Sequence, residues 1–141
     1  MESKNTDALQ QELMQANNLD RFLTENDSSF RSESAPEMLK RLFEKRNITK
    51  AALAKQSGMS EVYLHQVFSG RRNPSRNRLL CLCLGLHATF EEAQNLLLRC
   101  RLAPLYPRDK RDAIIIFGLS HDMSLFQIND KLFAEQEETL C

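Results

Sequence analysis

The chain has 141 residues, 42% of them hydrophobic, with only four Gly and four Pro; that suits one compact domain with appendages and argues against a loop-rich or many-turned β protein. Formal net charge is zero, but its distribution is uneven: residues 1–30 carry −4, residues 31–78 carry +7 and residues 79–141 carry −3, a basic middle between acidic ends. The opening Met-Glu-Ser-Lys-Asn-Thr-Asp has no apolar signal-peptide core, and no run approaches the roughly 20 apolar residues of a membrane span, so the expectation is a cytoplasmic chain with four reduced cysteines.

In chain order, Thr6 to about Glu25 predicts an amphipathic helix, with Leu9, Leu13, Ala16, Leu19 and Leu23 on one stripe and Met14 and Phe22 widening it. Asn26 to Ser34, rich in Ser, Asn and Asp, predicts a linker. Ser34-Ala-Pro-Glu37 is a helix start, with a capping Ser, Pro in the first turn and an acidic residue three positions on. That helix presents Met38, Leu39, Leu42 and Phe43 and is expected to end near Arg46-Asn47. Thr49 caps a short helix over Lys50 to Gln56, Ser57-Gly58-Met59 forms a tight turn, and Ser60 caps a helix from Glu61 to about Ser69 that Gly70 ends. Pro74-Ser75 opens a Leu-rich helix reaching Leu86, and Thr89-Phe-Glu-Glu92 is a capping box for a helix to about Leu102.

Beyond residue 103 the pattern is less decisive. Pro107 can begin a helix through Ile114, Ile115, Ile116 and Phe117, or that β-branched run can be a buried strand; helix is preferred because no second strand candidate exists to pair with it. Ser124 to Gln127 is another capping box, before a helix carrying Leu125, Ile128, Leu132 and Phe133.

The informative stretch is Thr49 to Gly70. Two short helices crossing at roughly 90–120° need a turn of three or four residues. Ala54 permits close approach, Gly58 the sharp turn, and Met59 folds back toward the core, while Leu53, Leu64 and Val67 make a buried triangle. The opposite face of the second helix is then free to enter a DNA major groove.

Leu53-Ala54, Gly58-Met59-Ser60, Leu64, Ser69-Gly70-Arg71-Arg72-Asn73-Pro74, Leu79-Leu80 and Leu84-Gly85-Leu86 together resemble the lambda-repressor-like (Xre-type) helix-turn-helix family over about residues 36–102. The resemblance implies an all-α fold: a five-helix DNA-binding domain at 34–103, preceded by an N-terminal amphipathic helix and linker (1–33) and followed by a C-terminal helical extension (104–141). It also implies a transcriptional regulator that binds double-stranded DNA in a sequence-specific way, commonly as a homodimer on a two-fold operator. The tail from Tyr106 to Phe117 resembles an extension found in some small members, without a role that carries over.

Carried over position by position, the base-reading residues are Glu61, Val62, Tyr63 and Gln66. Gln66 can pair bidentately with adenine and Val62 can touch a thymine methyl; Tyr63 can bond a phosphate or a base. Glu61 departs from the commoner neutral or basic choice: it can accept from a cytosine amino group, yet it repels phosphate. Lys50, Ser60, Arg71, Arg72 and Asn73 fall at phosphate-contacting positions, with Lys50 standing where the family often has Gln. Phe68 replaces an often polar position and is expected in the core or at an interface.

Other residues have plainer readings. Cys81 and Cys83 point about 200° apart on a helix and cannot easily share one ion, no Cys-x-x-Cys or His-x₃-His partner exists, and both read, with Cys100, as buried apolar thiols. Cys141 reads as an exposed bystander. His65 is a surface residue or a DNA contact; His87 and His121 are structural. No metal, cofactor or catalytic constellation is expected, and the chain does not read as an enzyme. The N-terminal stripe can dock on the domain's own core, pair with its copy in a second subunit, or cover the basic face when DNA is absent. The neutral balance, Glu61 and the acidic flanks keep open a protein-interaction adaptor with a protein partner on the N- or C-terminal helices, or an antitoxin-like protein that both binds DNA and masks a partner through its C-terminal helices.

Overall fold

A computed structural model of the chain describes residues 5–30 and 33–141. Expectations at residues 1–4 and 31–32, including the charge of Arg31, lie outside the described residues. The chain divides into two units, Met1–Glu33 and Ser34–Cys141.

In the first unit the single helix expected from Thr6 to Glu25 is two: α1 (Thr6–Gln15) and α2 (Leu19–Glu25). The break falls at Ala16-Asn17-Asn18. Ala16 turns extended, and the Asn18 side chain accepts the Arg21 N–H, starting a new helix. An Asn side chain competes for backbone hydrogen bonds, and here it re-caps the chain where the apolar periodicity would have run straight through. Phe22 is the buried residue of α2 and meets Phe30 edge-on at 6.5 Å. Asn26 donates to Glu12 at 3.0 Å, while Leu13, Met14, Leu19 and Leu23 stay exposed.

The second unit is all helix among its described residues: α3 (Ala35–Arg46), α4 (Lys50–Ser57), α5 (Glu61–Phe68), α6 (Arg76–Gly85), α7 (Phe90–Arg99), α8 (Lys110–Ser120) and α9 (Leu125–Ala134). Its helix starts are set locally. Ser34, Thr49, Ser60, Ser75, Thr89 and Ser124 each accept the N–H three residues on, and Thr89/Glu92 and Ser124/Gln127 are complete capping boxes. Residues 114–117 are helical; that helix begins at Lys110, capped by Asp109, rather than at Pro107.

α6 is the hub. Leu79, Leu80, Leu82, Leu84 and both of its cysteines are buried, with α4, α7, α8 and α9 packed around it. Gly85 lets α4 come close, since a Cβ there would stand 2.2 Å from Ser57 Oγ. One continuous core includes Leu53, Leu64 and Val67 as well as Ile115, Ile128 and Leu132, so residues 104–141 share the interior of the five helices before them.

The expected basic middle is partly spent inside this frame. Arg46 donates to the Leu86 carbonyl at 2.8 Å and pairs with Glu92 at 3.1 Å, and Lys45 reaches the same carboxylate at 3.5 Å. Arg76 makes a two-pronged bond to Asp112 at 3.0 and 3.2 Å and holds the carbonyls of Ala103 and Pro104. These guanidiniums bind helices to one another and to the loop before α8.

Candidate nucleic-acid interface

α4, the turn at Gly58 and α5 make up the candidate interface. Gly58 has φ +65°, the left-handed region that its missing Cβ tolerates, and its N–H and that of Met59 close α4 by bonding Lys55 and Ala54 carbonyls. Leu53, Leu64 and Val67 are fully enclosed behind the turn. Phe68, also buried, lies edge-on to Phe43 at 5.5 Å, which makes it a core residue.

Burying Leu64, Val67 and Phe68 decides which side of α5 faces out. Glu61, Val62 and His65 are exposed, Val62 at 69% of its surface, while Tyr63 and Gln66 sit half-buried along one edge. The Ser60 hydroxyl oxygen accepts the Tyr63 N–H at 3.1 Å, leaving its own proton free to donate outward.

The edge beside Tyr63 is where the cations gather. Arg72 lies over the Tyr63 ring at 5.4 Å and Arg78, from the first turn of α6, at 4.4 Å. Arg72 Nε also donates to Gln66 Oε1 at 3.0 Å, and the N–H groups of Arg71 and Arg72 bond the Gln66 carbonyl at 3.0 and 3.3 Å. Tyr63, Gln66, Arg72 and Arg78 are thus one linked cluster. Lys50, at the start of α4, lies over the Phe68 ring at 5.8 Å, and Arg71 and Asn73 are exposed on the loop after α5.

Of the residues singled out from sequence, the structure brings together Tyr63, Gln66 and Arg72, sets Glu61 and Val62 on the open face beside them, and leaves Lys50 over Phe68, outside that cluster. Arg78 is the addition. Fifteen positions separate it from Tyr63, and no local spacing rule connects them; only the packing of α5 against the start of α6 does. Among the described residues no trio of His, Cys, Asp or Glu is placed to hold a metal ion, and no helix is long and apolar enough to cross a membrane.

Residues 37–96 match the family described as a helix-turn-helix domain. That span runs from α3 into α7 and contains the whole cluster around Tyr63. No curated protein and no solved structure matches the chain.

Proposed function

We propose that this protein is a sequence-specific transcriptional regulator that binds double-stranded DNA, with α5 in the major groove and two copies acting as a homodimer on a two-fold operator. The observation that carries this is the Tyr63–Gln66–Arg72–Arg78 cluster on the exposed edge of α5. Glu61, Val62, Tyr63 and Gln66 face the bases, and Lys50, Ser60, Arg71, Arg72, Asn73 and Arg78 lie along the phosphates. Arg72 holds the Gln66 amide in one orientation, and the amide oxygen keeps a second lone pair for an adenine amino group while its NH₂ donates to N7. Such a held side chain loses less freedom on binding.

Selection of genomic fragments by the purified full chain tests this. A specific fragment is expected, with affinity falling steeply between low and moderate salt as phosphate contacts release counterions. Gln66→Ala is expected to relax preference at one base position at a cost of about 1–3 kcal/mol, whereas Arg78→Ala weakens all sites alike and reduces the salt slope by about 1; Arg72→Ala reduces the slope likewise and also relaxes the position read by Gln66, whose amide it frees. Failure to enrich any fragment would remove the DNA reading.

A second reading has its own observation. α8 and α9 enclose a groove of about 410 Å³ lined by Ala113, Ile114, Phe117, Met123 and Ile128, and the exposed Phe117, Phe126 and Phe133 belong to the same two helices. This favours a protein-binding role for these helices, either as an adaptor, which fragment selection separates from the first reading, or in an antitoxin-like protein, which would select a fragment and also bind a protein partner.

A further inference from the structure

The segment after α9 returns to the turn between α4 and α5. Leu140 is buried in the core and its N–H donates to Asn129 Oδ1 at 2.8 Å. Arg111 secures the approach, donating to the Glu138 carbonyl at 2.7 Å and the Thr139 carbonyl at 3.2 Å. This strap brings Cys141 to a cavity of about 280 Å³ whose walls include Ser57, Gly58, Met59, Arg78 and Cys81.

Two of the four cysteines therefore meet. Cys81 Sγ lies 4.0 Å from the Leu140 carbonyl oxygen, an atom of the peptide unit that leads into Cys141. Cys141 Sγ accepts from Asn129 Nδ2 at 3.1 Å and would stand 3.9 Å from a Cβ on Gly58. Both thiols line this same cavity. Cys141 is exposed, whereas Cys81 is enclosed behind it. The other two cysteines differ: Cys83 is buried and Cys100 is half-buried, and neither lines this cavity.

We propose that Cys81 and Cys141 are a redox-active dithiol which peroxide closes into an intramolecular disulfide, fastening the strap across the turn between α4 and α5. The exposed thiol reacts first. The Cys141 thiolate attacks one peroxide oxygen, the O–O bond breaks, and the departing hydroxide is protonated to water, leaving a sulfenic acid. Cys81 then gives up its proton and attacks the Cys141 sulfur; the S–O bond breaks and the hydroxyl leaves as water with that proton. Two thiols lose two protons and two electrons, and one peroxide becomes two waters. Burial, and then the neighbouring Cys141, push the Cys81 thiol up to about 12, against the pull of Arg78 and Arg111.

The test treats the reduced full chain with hydrogen peroxide near neutral pH, followed by intact mass and peptide mapping. A loss of about 2 Da is expected, with one linked peptide pair containing Cys81 and Cys141. Tm should rise by several degrees, because the link closes a loop of about 60 residues in the unfolded chain, and dithiothreitol should reverse both changes. Cys141→Ser, at an exposed position that leaves the fold intact, should abolish the link and the Tm shift. Oxidation of Cys141 to sulfinic acid without a link, a Cys141–Cys141 dimer between chains, or a Cys83–Cys100 link would each overturn the proposal.

Discussion

The helix pairs α4–α5 and α8–α9 pack by similar rules and turn different chemistry outward. Each second helix is capped by a serine, Ser60 or Ser124. Each pair closes over buried aliphatics: Leu53, Leu64 and Val67 in one, Ile115, Leu119, Ile128 and Leu132 in the other. Each uses a glycine, but differently. Gly58 supplies a left-handed turn, while Gly118 sits inside α8 and makes room for Ile128, whose Cδ1 would lie 2.0 Å from an added Cβ. Outside, α5 presents Glu61, Val62, His65 and the arginine-flanked Tyr63, whereas α8 and α9 present Phe117, Phe126 and Phe133. Packing rules that build a helix pair leave its outward face unconstrained, and the surface chemistry of that face is what separates the two pairs.

The comparison breaks most severely at Leu64. It is completely enclosed on a helix packed against α3 and α4, and Leu64→Ala is expected to cost about 3 kcal/mol through lost burial and the cavity left behind, read by urea unfolding. A loss under about 1 kcal/mol would mean that the pair repacks freely. On the other side, Gly118→Ala is expected to cost about 2 kcal/mol by overpacking. Adding Ile128→Val, which removes the clashing Cδ1, should recover part of that loss, so the two changes are non-additive. Simple additivity would refute the close approach of α8 and α9.

The frame that carries α4–α5 offers a pH-dependent test. Burial pushes the Glu92 carboxyl up, but the Thr89 N–H, Lys45 and Arg46 together hold it below its ordinary value. A depressed folded value stabilises the protein at pH above the unfolded carboxyl range, and that contribution fades as pH falls through the folded value. Glu92→Gln keeps an acceptor for the Thr89 N–H but removes the charge that Lys45 and Arg46 face, and is therefore expected to lose up to about 1 kcal/mol at neutral pH. The gap between variant and parent should narrow on acidification, as followed by thermal unfolding across pH. A gap that stays constant would show that the carboxylate charge plays no part. The smallest effect belongs to Phe133, 78% exposed. Phe133→Ala should change stability by less than about 0.5 kcal/mol, because the ring of this outward position buries little; a larger loss would mean that it packs on something the isolated chain supplies.

Much of this protein was legible locally. The caps at Ser34, Thr49, Ser60, Ser75, Thr89 and Ser124, the turn at Gly58 and the buried triangle of Leu53, Leu64 and Val67 all depend on residues within a few positions of one another or on a short, well-matched spacing. The one long N-terminal helix was misread for a related reason. Apolar periodicity continues through Ala16–Asn18, but the Asn18 side chain, acting over three residues, interrupts it.

The sequence by itself determined the all-α class, the helix starts other than those of α2 and α8, and which face of α5 is buried, because capping and apolar periodicity act over three or four residues. Tertiary structure alone decided how the charges are spent. Arg46 and Arg76 look no different in sequence from Arg78, yet the first two clamp helices through Glu92 and Asp112, and Arg78 joins Arg72 in flanking Tyr63. The same holds for Cys141, which reads as a bystander until Leu140 is buried and brings it to Cys81. A long side chain's partner depends on which elements meet across tens of residues, and only the folded core sets those meetings.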